Sequence, residues 1–352
     1  MPPNMRSHSR KLLTAVTLAL LTTSAAEAQS SSDPLAIARI LAARYPAQPI
    51  ISYIPALAWS SQLRLSQLTG DAQWRDKALK DIEPFTSGKT PAMAEPYRLT
   101  NLAGALAFFE AAARTGDRAA GALAGRIALA MLPDAPGEYV NFATGWTDDM
   151  FMASSVMSRV GSDTTTHSAL RRMLTVYAGK LQRPDGLFIH AENGAHAWGR
   201  GNGFALLGLT EALLHLPASW AGRAAVLEIY RRHLAALASH QSDDGSWRQV
   251  IDEPASYREL TATAMITAAI ARGISRGWID RAAYEPIMNR GWQAVAARVN
   301  GDGTVKDVCS STGAGPTKEY YLNRPVVNGA DDRGGAMALL AAVEIAELRR
   351  PH

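Results

Sequence analysis

The feature that most constrains the fold is a turn that recurs in the first half of the chain. Glycines stand at Gly70, Gly116 and Gly161, separated by 46 and 45 residues, and each is followed by Asp or Ser. A glycine of this kind typically ends one helix in the left-handed conformation, and the next Asp or Ser caps the following helix. Because amphipathic stretches flank the turns, the pattern predicts a series of helical hairpins.

Aspartate–glycine pairs continue the repeat in the second half, 59 and 58 residues apart, at residues 185–186, 244–245 and 302–303. Each is followed by a short β-prone run. The whole chain divides into twelve predicted helical segments: 34–45, 50–69, 72–86, 98–115, 117–132, 147–160, 164–181, 197–214, 219–239, 258–273, 281–298 and 332–349.

Six hairpins can form either an open solenoid or a closed toroid. The long loops all follow the second helix of a pair, which would gather them at one end of the molecule. We therefore expect an all-α fold, an (α/α)6 barrel or six-hairpin toroid, formed by residues 29–352 as a single domain.

Residues 1–28 have the pattern of a cleavable export signal. Arg6, Arg10 and Lys11 precede the apolar run Leu12–Leu21, and a small-x-small site ends at Ala28. A run of about ten apolar residues is too short to span a bilayer. We expect cleavage after Ala28, export to the periplasm, and no stable membrane association afterwards.

Charge and cysteine content exclude several classes of protein. The net charge is +4, and removal of residues 1–28 leaves 33 basic against 31 acidic residues. So nearly neutral a chain lacks the basic surface that nucleic-acid binding requires. Cys309 is the only cysteine, so no intrachain disulfide can form. The eight histidines show no metal-ligand spacing, and we expect neither a metal nor a cofactor.

Two adjacent carboxylates stand out in the segment Trp146–Met152, which contains Asp148 and Asp149. An aspartate here can simply cap a helix, which stabilises it by about 1 kcal/mol. Burial and repulsion between like charges would both raise a carboxyl pKa, however, and a raised pKa suits a general acid.

A second group follows, with His190 ahead of the glycine-rich segment Trp198–Phe204. The strand–loop–helix context of a phosphate loop is missing. Glycines beside Trp, Arg and Asn instead suggest a backbone held close to a polar ligand. Trp198 and Phe204 could stack on a sugar, and Arg200 could pair with a carboxylate. His190 could also be an ordinary core or loop histidine.

Two further groups have equally plain structural explanations. Trp247 and its neighbours could form an exposed loop before a helix that starts near Glu259. The last group comprises residues 318–324 and 331–336, which include Arg333, and Asp331 or Asp332 could simply cap the last helix.

Together these segments resemble the unsaturated uronyl hydrolases of glycoside hydrolase families 88 and 105. The blocks occur in family order at residues 146–152, 190, 198–204, 243–250, 259–265 and 329–336. The resemblance implies an (α/α)6 barrel, Asp148 as the catalytic aspartate, and contacts to substrate from His190, Trp198 and Arg200. Phe204 stands where many members have Trp.

Other candidate substrate contacts are Asn101, Trp146, Asp149, Trp247 and Arg333. Asn101 is the nearest counterpart of a family aspartate near the start of the fourth helix. A His-Lys pair that often precedes the catalytic aspartate is missing, and the sequence there is Gly137–Val140. Both departures bear on the choice of substrate more than on the chemistry.

The resemblance implies hydration of the C4=C5 double bond in a terminal unsaturated uronic acid, so the expected partner is an unsaturated uronate-terminated oligosaccharide. A conventional inverting glycosidase is the alternative enzyme, with Asp148 paired with Glu192, Glu259 or Asp332. A non-catalytic periplasmic saccharide-binding protein is the alternative from another class.

Overall fold

The computed structural model describes residues 32–134, 139–161 and 163–350. The predicted export signal, residues 1–28, lies outside the described residues, as do the first two residues of the Gly137–Val140 run. In chain order the helices are α1 (Pro34–Arg44), α2 (Tyr53–Thr69), α3 (Ala72–Thr86), α4 (Leu99–Leu102), α5 (Ala105–Thr115), α6 (Arg118–Ala130), α7 (Asp148–Met157), α8 (Thr164–Leu181), α9 (Gly199–His215), α10 (Arg223–Ser239), α11 (Leu260–Ser275), α12 (Arg281–Ala296), α13 (Lys318–Leu322) and α14 (Asp332–Leu348).

Six of these helices form a closed inner ring. Helices α2, α5, α7, α9, α11 and α14 pack side by side in that order, and α14 contacts α2. Helices α3, α6, α8, α10 and α12 each pack outside the inner helix that precedes them, while α1 packs outside α14. The N-terminal helix thus completes the sixth pair with the C-terminal helix. The predicted (α/α)6 barrel is confirmed, and the open solenoid is wrong.

Burial distinguishes the two layers. In α11 every residue except Ser275 is buried, whereas α3 buries a single stripe formed by Trp74, Ala78, Ile82 and Phe85. An inner helix touches its neighbours on all sides and so needs small residues at close contacts. At Gly208 a Cβ atom would lie 2.4 Å from the Met150 carbonyl oxygen, which shows how closely α9 approaches α7.

The first two of the three repeated turns have the predicted geometry, whereas the expected cap of the third, Ser162, lies outside the described residues. Gly70 and Gly116 adopt φ angles of 74° and 76° after α2 and α5. Asp71 and Asp117 then accept backbone N–H hydrogen bonds in α3 and α6. At the third turn, the cap of α8 is Asp163, which accepts from two backbone N–H groups.

One predicted segment divides in two. The predicted helix 98–115 is divided into α4 and α5. The break lies near Gly104, where the backbone packs closely against the residues that precede α2. A Cβ atom at Gly104 would lie 2.7 Å from Ile51 Cγ2.

The β-prone runs after residues 244–245 and 302–303 belong to two small hairpins, whereas the run after residues 185–186 forms only an isolated bridge between Phe188 and Gln182. Strand β1 (Trp247–Arg248) pairs antiparallel with β2 (Arg258–Glu259), immediately before α11. Strand β3 (Val305–Cys309) pairs antiparallel with β4 (Val326–Gly329), immediately before α14, and the short helix α13 lies between them. The sequence did not predict β2, β4 or α13. No helix in the described ranges has the length and apolarity needed to cross a membrane.

Candidate active site

The first residues of the inner helices meet at one end of the barrel. Each outer helix returns the chain to the end where the next inner helix begins, so the inner helices run in the same direction. Tyr53, Asp148, Arg200 and Arg333 all lie within the first turn of an inner helix. The positive ends of the helix dipoles meet there too, which favours binding of an anionic group.

Asp148 is the first residue of α7, and 19% of its side chain is exposed. Its Oδ2 atom lies 3.3 Å from His190 Nε2, without the alignment of a hydrogen bond. Both atoms are buried, and neither has a hydrogen-bond partner. The site therefore contains a carboxyl group that is partly accessible and not committed to a structural bond.

His190 is fully buried and packs among three aromatic rings. The ring centroids of Trp146, Trp198 and Tyr321 lie 5.1, 4.6 and 5.8 Å from that of the imidazole. Its Nδ1 atom is 2.9 Å from the Tyr321 hydroxyl, and its carbonyl oxygen accepts a 2.9 Å hydrogen bond from Thr147 N. These contacts fix the imidazole beside Asp148.

Arg200 provides a fixed positive charge beneath the site. It is 3% exposed, its Nε donates to Thr261 Oγ1 at 2.9 Å, and its Nη2 donates to the Cys309 carbonyl. Burial favours the neutral guanidinium, but the Glu259 carboxylate, 3.7 Å away, outweighs this and raises the pKa of Arg200. The guanidinium also lies 5.4 Å from the Trp198 ring centroid.

Tyr53 is a site residue that the sequence analysis missed. Burial, supported by the charge of Asp148, raises its pKa to about 12 although Arg200 and Arg333 act in the opposite direction. These interactions place the Tyr53 hydroxyl among the candidate site residues. The available signal was its position, an aromatic residue that opens an inner helix.

A family comparison agrees with this arrangement. The profile of Glycosyl Hydrolase Family 88 matches residues 38–349. The chain belongs to glycosyl hydrolase family 88. The resemblance stated from the sequence motifs is therefore confirmed at the level of the family.

Two relatives are similar in sequence to about half of this family 88 chain. An unsaturated 3S-rhamnoglycuronyl hydrolase from Alteromonas sp. is 27% identical over 175 residues, covering 46% of this chain and 42% of the relative. The unsaturated rhamnogalacturonyl hydrolase YesR from Bacillus subtilis is 29% identical over 199 residues, covering 53% and 56%. The chain thus spans about half the length of these relatives.

Solved structures share the fold. A family 105 glycoside hydrolase from C. acetobutylicum superposes with a TM-score of 0.76 at 19% identity, covering 87% of this chain and 98% of that one. A family 88 glycosyl hydrolase from Bacteroides vulgatus gives 0.76 at 18% identity, covering 90% and 99%.

Two aromatic residues expected to contact substrate lie in the core of the family 88 protein instead. Phe204 is fully buried one turn below Arg200, with its ring 5.5 Å from that of Tyr53 and 5.9 Å from that of Phe151. Trp247 is also fully buried, and its indole N–H donates to the Leu237 carbonyl in the outer layer. Neither ring exposes a face on which a sugar could stack, so both expectations are wrong. The Trp198 ring, which was also expected to stack on a sugar, is likewise buried at 2% exposed.

Asp149 also differs from expectation. It is 2% exposed and accepts hydrogen bonds from Thr144 N at 2.7 Å, Gly145 N at 2.9 Å and the Tyr177 hydroxyl at 2.7 Å. Burial raises its pKa to about 6 despite these bonds. Because one residue along a helix is a rotation of about 100°, Asp149 faces the preceding loop and not the side where Asp148 lies. Asp149 holds that loop in place.

The remaining candidates lie at the site entrance. Trp146 is half-buried against His190, and Asn101 is exposed on α4, which packs against α2 and α7. Arg333 has a 27% exposed side chain and pairs with Asp331 at 3.0 Å. Across the described residues, no group of three His, Cys, Asp or Glu side chains could hold a metal ion.

Proposed function

We propose that this protein removes a terminal 4,5-unsaturated uronic acid from oligosaccharides produced by polysaccharide lyases. The observation that carries the proposal is the Asp148 carboxyl group, accessible and unpaired, at the cationic end of a family 88 barrel. The relatives are an unsaturated 3S-rhamnoglycuronyl hydrolase and an unsaturated rhamnogalacturonyl hydrolase, which supports the same substrate class here.

The chemistry requires one carboxyl group in two protonation states. Asp148 protonates C4 of the enol ether, and positive charge develops at C5, where the ring oxygen stabilises it. The Asp148 carboxylate then takes a proton from water as the water oxygen bonds to C5. The hemiketal that results opens and releases the rest of the saccharide. Arg200, Arg333 and the helix N-termini provide a positive field for the carboxylate of the substrate.

The environments of the other carboxylates favour this route over a two-carboxylate glycosidase. Glu259 is fully buried and bonds to Thr261 and to two backbone N–H groups, of Ala262 and Cys309. Asp332 accepts from the backbone N–H groups of residues 47 and 48, in the loop after α1. Glu192 pairs with Lys180 on the surface, where 67% of its side chain is exposed.

The deciding assay follows loss of the enol-uronate ultraviolet absorbance with lyase-generated pectin, ulvan and glycosaminoglycan fragments. We expect turnover of at least one fragment, and a decrease in kcat of about 10²- to 10⁴-fold in Asp148→Asn. Glu192→Gln is the matched control and should retain activity. Absence of turnover with every fragment would contradict the function. Loss of activity in Glu192→Gln would favour the two-carboxylate mechanism.

We also propose that residues 1–28 direct export to the periplasm and that residues 29–352 act as one catalytic domain. The apolar run after three basic residues supports the first part, and the closed ring of inner helices supports the second. N-terminal sequencing of protein recovered from the periplasm tests cleavage after Ala28. A mature N-terminus elsewhere, or retention in the cytoplasm, would refute the assignment.

A further inference from the structure

The hydrogen bonds around Tyr321 determine which nitrogen of His190 carries a proton. The Tyr321 hydroxyl accepts a hydrogen bond from Gly315 N at 3.3 Å and lies 2.9 Å from His190 Nδ1. Within the described residues, that nitrogen is the only acceptor bonded to the hydroxyl. If Nδ1 carried a proton, the buried hydroxyl hydrogen would have no acceptor. The hydroxyl therefore donates to Nδ1, and the proton of the neutral imidazole is on Nε2.

The protonated nitrogen faces the catalytic candidate. His190 Nε2 and Asp148 Oδ2 lie 3.3 Å apart, and both are buried without another hydrogen-bond partner. An Nε2–H group beside Oδ2 disfavours a second proton on that oxygen, because two protons would then face each other across 3.3 Å. The other oxygen, Oδ1, is then the one that can carry an acidic proton and present it to a ligand.

Close packing holds this arrangement in place. Tyr321 is fully buried and packs with Trp198 and Val250. A Cβ atom at Gly194 would lie 2.4 Å from the Tyr321 hydroxyl oxygen, and one at Gly201 would lie 3.7 Å from His190 Cδ2 and 2.6 Å from Thr147 Oγ1. Gly194 thus leaves room for the Tyr321 hydroxyl, and Gly201 leaves room for Thr147, whose backbone N–H is bonded to the His190 carbonyl.

We propose that Tyr321 is a positioning residue, which holds His190 in the Nε2-protonated form and so confines the acidic proton of Asp148 to Oδ1. This inference rests on the proposed function for its catalytic consequence, although the protonation of His190 can be measured without substrate. Removal of the hydroxyl allows His190 to protonate at Nδ1. The bare Nε2 then accepts a hydrogen bond from protonated Oδ2, which turns the acidic proton away from C4.

The first test is ¹⁵N NMR of the histidine side chains in the full-length mature protein, with the His190 signals assigned by comparison with His190→Gln. In the wild type we expect a neutral imidazole protonated at Nε2. In Tyr321→Phe we expect a shift of the signals toward the Nδ1-protonated form. The matched control is Tyr320→Phe, which removes the hydroxyl of the neighbouring ring and should leave the His190 signals unchanged. A wild-type imidazole protonated at Nδ1 would overturn the proposal.

The second test separates positioning from simple loss of structure. We expect Tyr321→Phe to lower kcat about 10- to 100-fold, with KM nearly unchanged. A glutamine amide can place an N–H group where Nε2 lies, independently of Tyr321. Whatever activity His190→Gln retains, we expect Tyr321→Phe to cause no further loss in that background.

The outcomes distinguish the inference from the function. Equal losses from Tyr321→Phe in both backgrounds would overturn the positioning role. If the wild type turns over none of the unsaturated fragments, the proposed function fails. The NMR result would then still decide which nitrogen of His190 is protonated.

Discussion

The two ends of the barrel differ in how their buried polar groups are paired. At the end opposite the site, six charged side chains alternate in sign around the inner ring: Arg64, Glu110, Arg159, Glu211, Arg272 and Glu344. Five contacts between successive members lie between 2.5 and 3.0 Å. Glu110 is also within electrostatic range of Arg64. We call this set the basal ring.

At the site end, by contrast, buried polar atoms lack partners. Thr147 Oγ1, Asp148 Oδ2, His190 Nε2 and Trp198 Nε1 are all buried, and none has a hydrogen-bond partner among the described residues. Unpaired buried polar groups cost stability, whereas a ligand can satisfy them. The comparison indicates that the basal ring serves stability, and that the site end keeps hydrogen-bonding capacity for a substrate.

Site residues and basal-ring residues lie on the same faces of the inner helices. A site residue and a member of the basal ring are eleven positions apart in three inner helices: Tyr53 and Arg64, Arg200 and Glu211, and Arg333 and Glu344. The same spacing separates Asp148, the first residue of α7, from Arg159, which lies two residues past the end of that helix. Eleven residues are close to three helical turns, or about 16 Å, so both members of each pair point in the same direction, toward the barrel axis.

The largest effect on stability is expected for Glu211→Gln. Glu211 lies 2.5 Å from Arg159 and 2.6 Å from Arg272, so its loss leaves two buried arginines without this partner. Breaking a buried ion pair in this way costs about 3–5 kcal/mol of the free energy of unfolding. Denaturant unfolding measures the loss, and kcat of the folded variant should remain at the wild-type value.

The exposed pair of Lys180 and Glu192 offers the control for this experiment. Glu192→Gln should change the unfolding free energy by less than about 1 kcal/mol. A comparable loss in both variants would contradict the special role of the basal ring. A large fall in kcat in Glu211→Gln would show that the two ends are not independent.

Buried carboxyl groups at the two ends should respond to pH with opposite signs. Burial alone would raise the pKa of Glu110, but Arg159 and Arg114 outweigh it and lower the value from 4.5 to about 2. Its contribution to stability is complete above pH 4.5 and is lost as the pH falls toward 2. Asp149 has no cationic partner, and burial raises its pKa from 3.8 to about 6. Its contribution is complete below pH 3.8 and is lost as the pH rises through 6.

Unfolding midpoints measured across the pH range test this prediction. Each pKa shift corresponds to a contribution of about 3 kcal/mol to the free energy of unfolding at a pH where that contribution is complete. Glu110→Gln should reduce the loss of stability as the pH falls from 4.5 toward 2. Asp149→Asn should reduce the loss of stability as the pH rises from about 4 to 6. If both variants change the stability in the same pH range, then Glu110, paired with arginines, and Asp149, bonded to uncharged donors, do not differ in the way proposed.

The fold could be predicted because the repeat of turns is local and regular. Gly70 and Gly116 with their following aspartates determine where helices stop and start, and six pairs limit the architecture to a solenoid or a toroid. The eleven-residue spacing was also visible in the sequence. It becomes informative only when the inner helices are known to be neighbours, because the charges alternate between helices and not along one.

The details of the site could not be predicted in the same way. Phe204, Trp247 and Asp149 stand in or beside the motifs, but their side chains do not face the site. Phe204 is buried in the core, Trp247 bonds to the outer helix layer, and Asp149 bonds to the loop before α7. A sequence motif does not state which way each side chain points. The contact of Tyr321 with His190 joins residues that are 131 positions apart, through a five-residue helix within a hairpin. No periodicity marks such a contact.

The smallest predicted effect is also the most direct comparison of the two ends. Thr147 and Thr210 are both fully buried, but the Thr147 hydroxyl is unpaired. The Thr210 hydroxyl donates to the Leu207 carbonyl at 2.8 Å and accepts from Arg272 at 3.2 Å. Valine has nearly the shape of threonine and removes the hydroxyl. Thr147→Val should therefore raise the free energy of unfolding by about 1 kcal/mol, whereas Thr210→Val should lower it by about 1 kcal/mol.

Denaturant unfolding of both variants gives the sign, and steady-state kinetics gives the functional consequence. We expect Thr147→Val to raise KM, because Thr147 directly precedes Asp148 and its unpaired hydroxyl is buried at the site end of the barrel. Thr210→Val should leave both kinetic constants unchanged. If Thr147→Val is destabilising to the same degree as Thr210→Val, then the site-end hydroxyl is already satisfied in the free protein. The difference in pairing between the two ends would then not extend to Thr147.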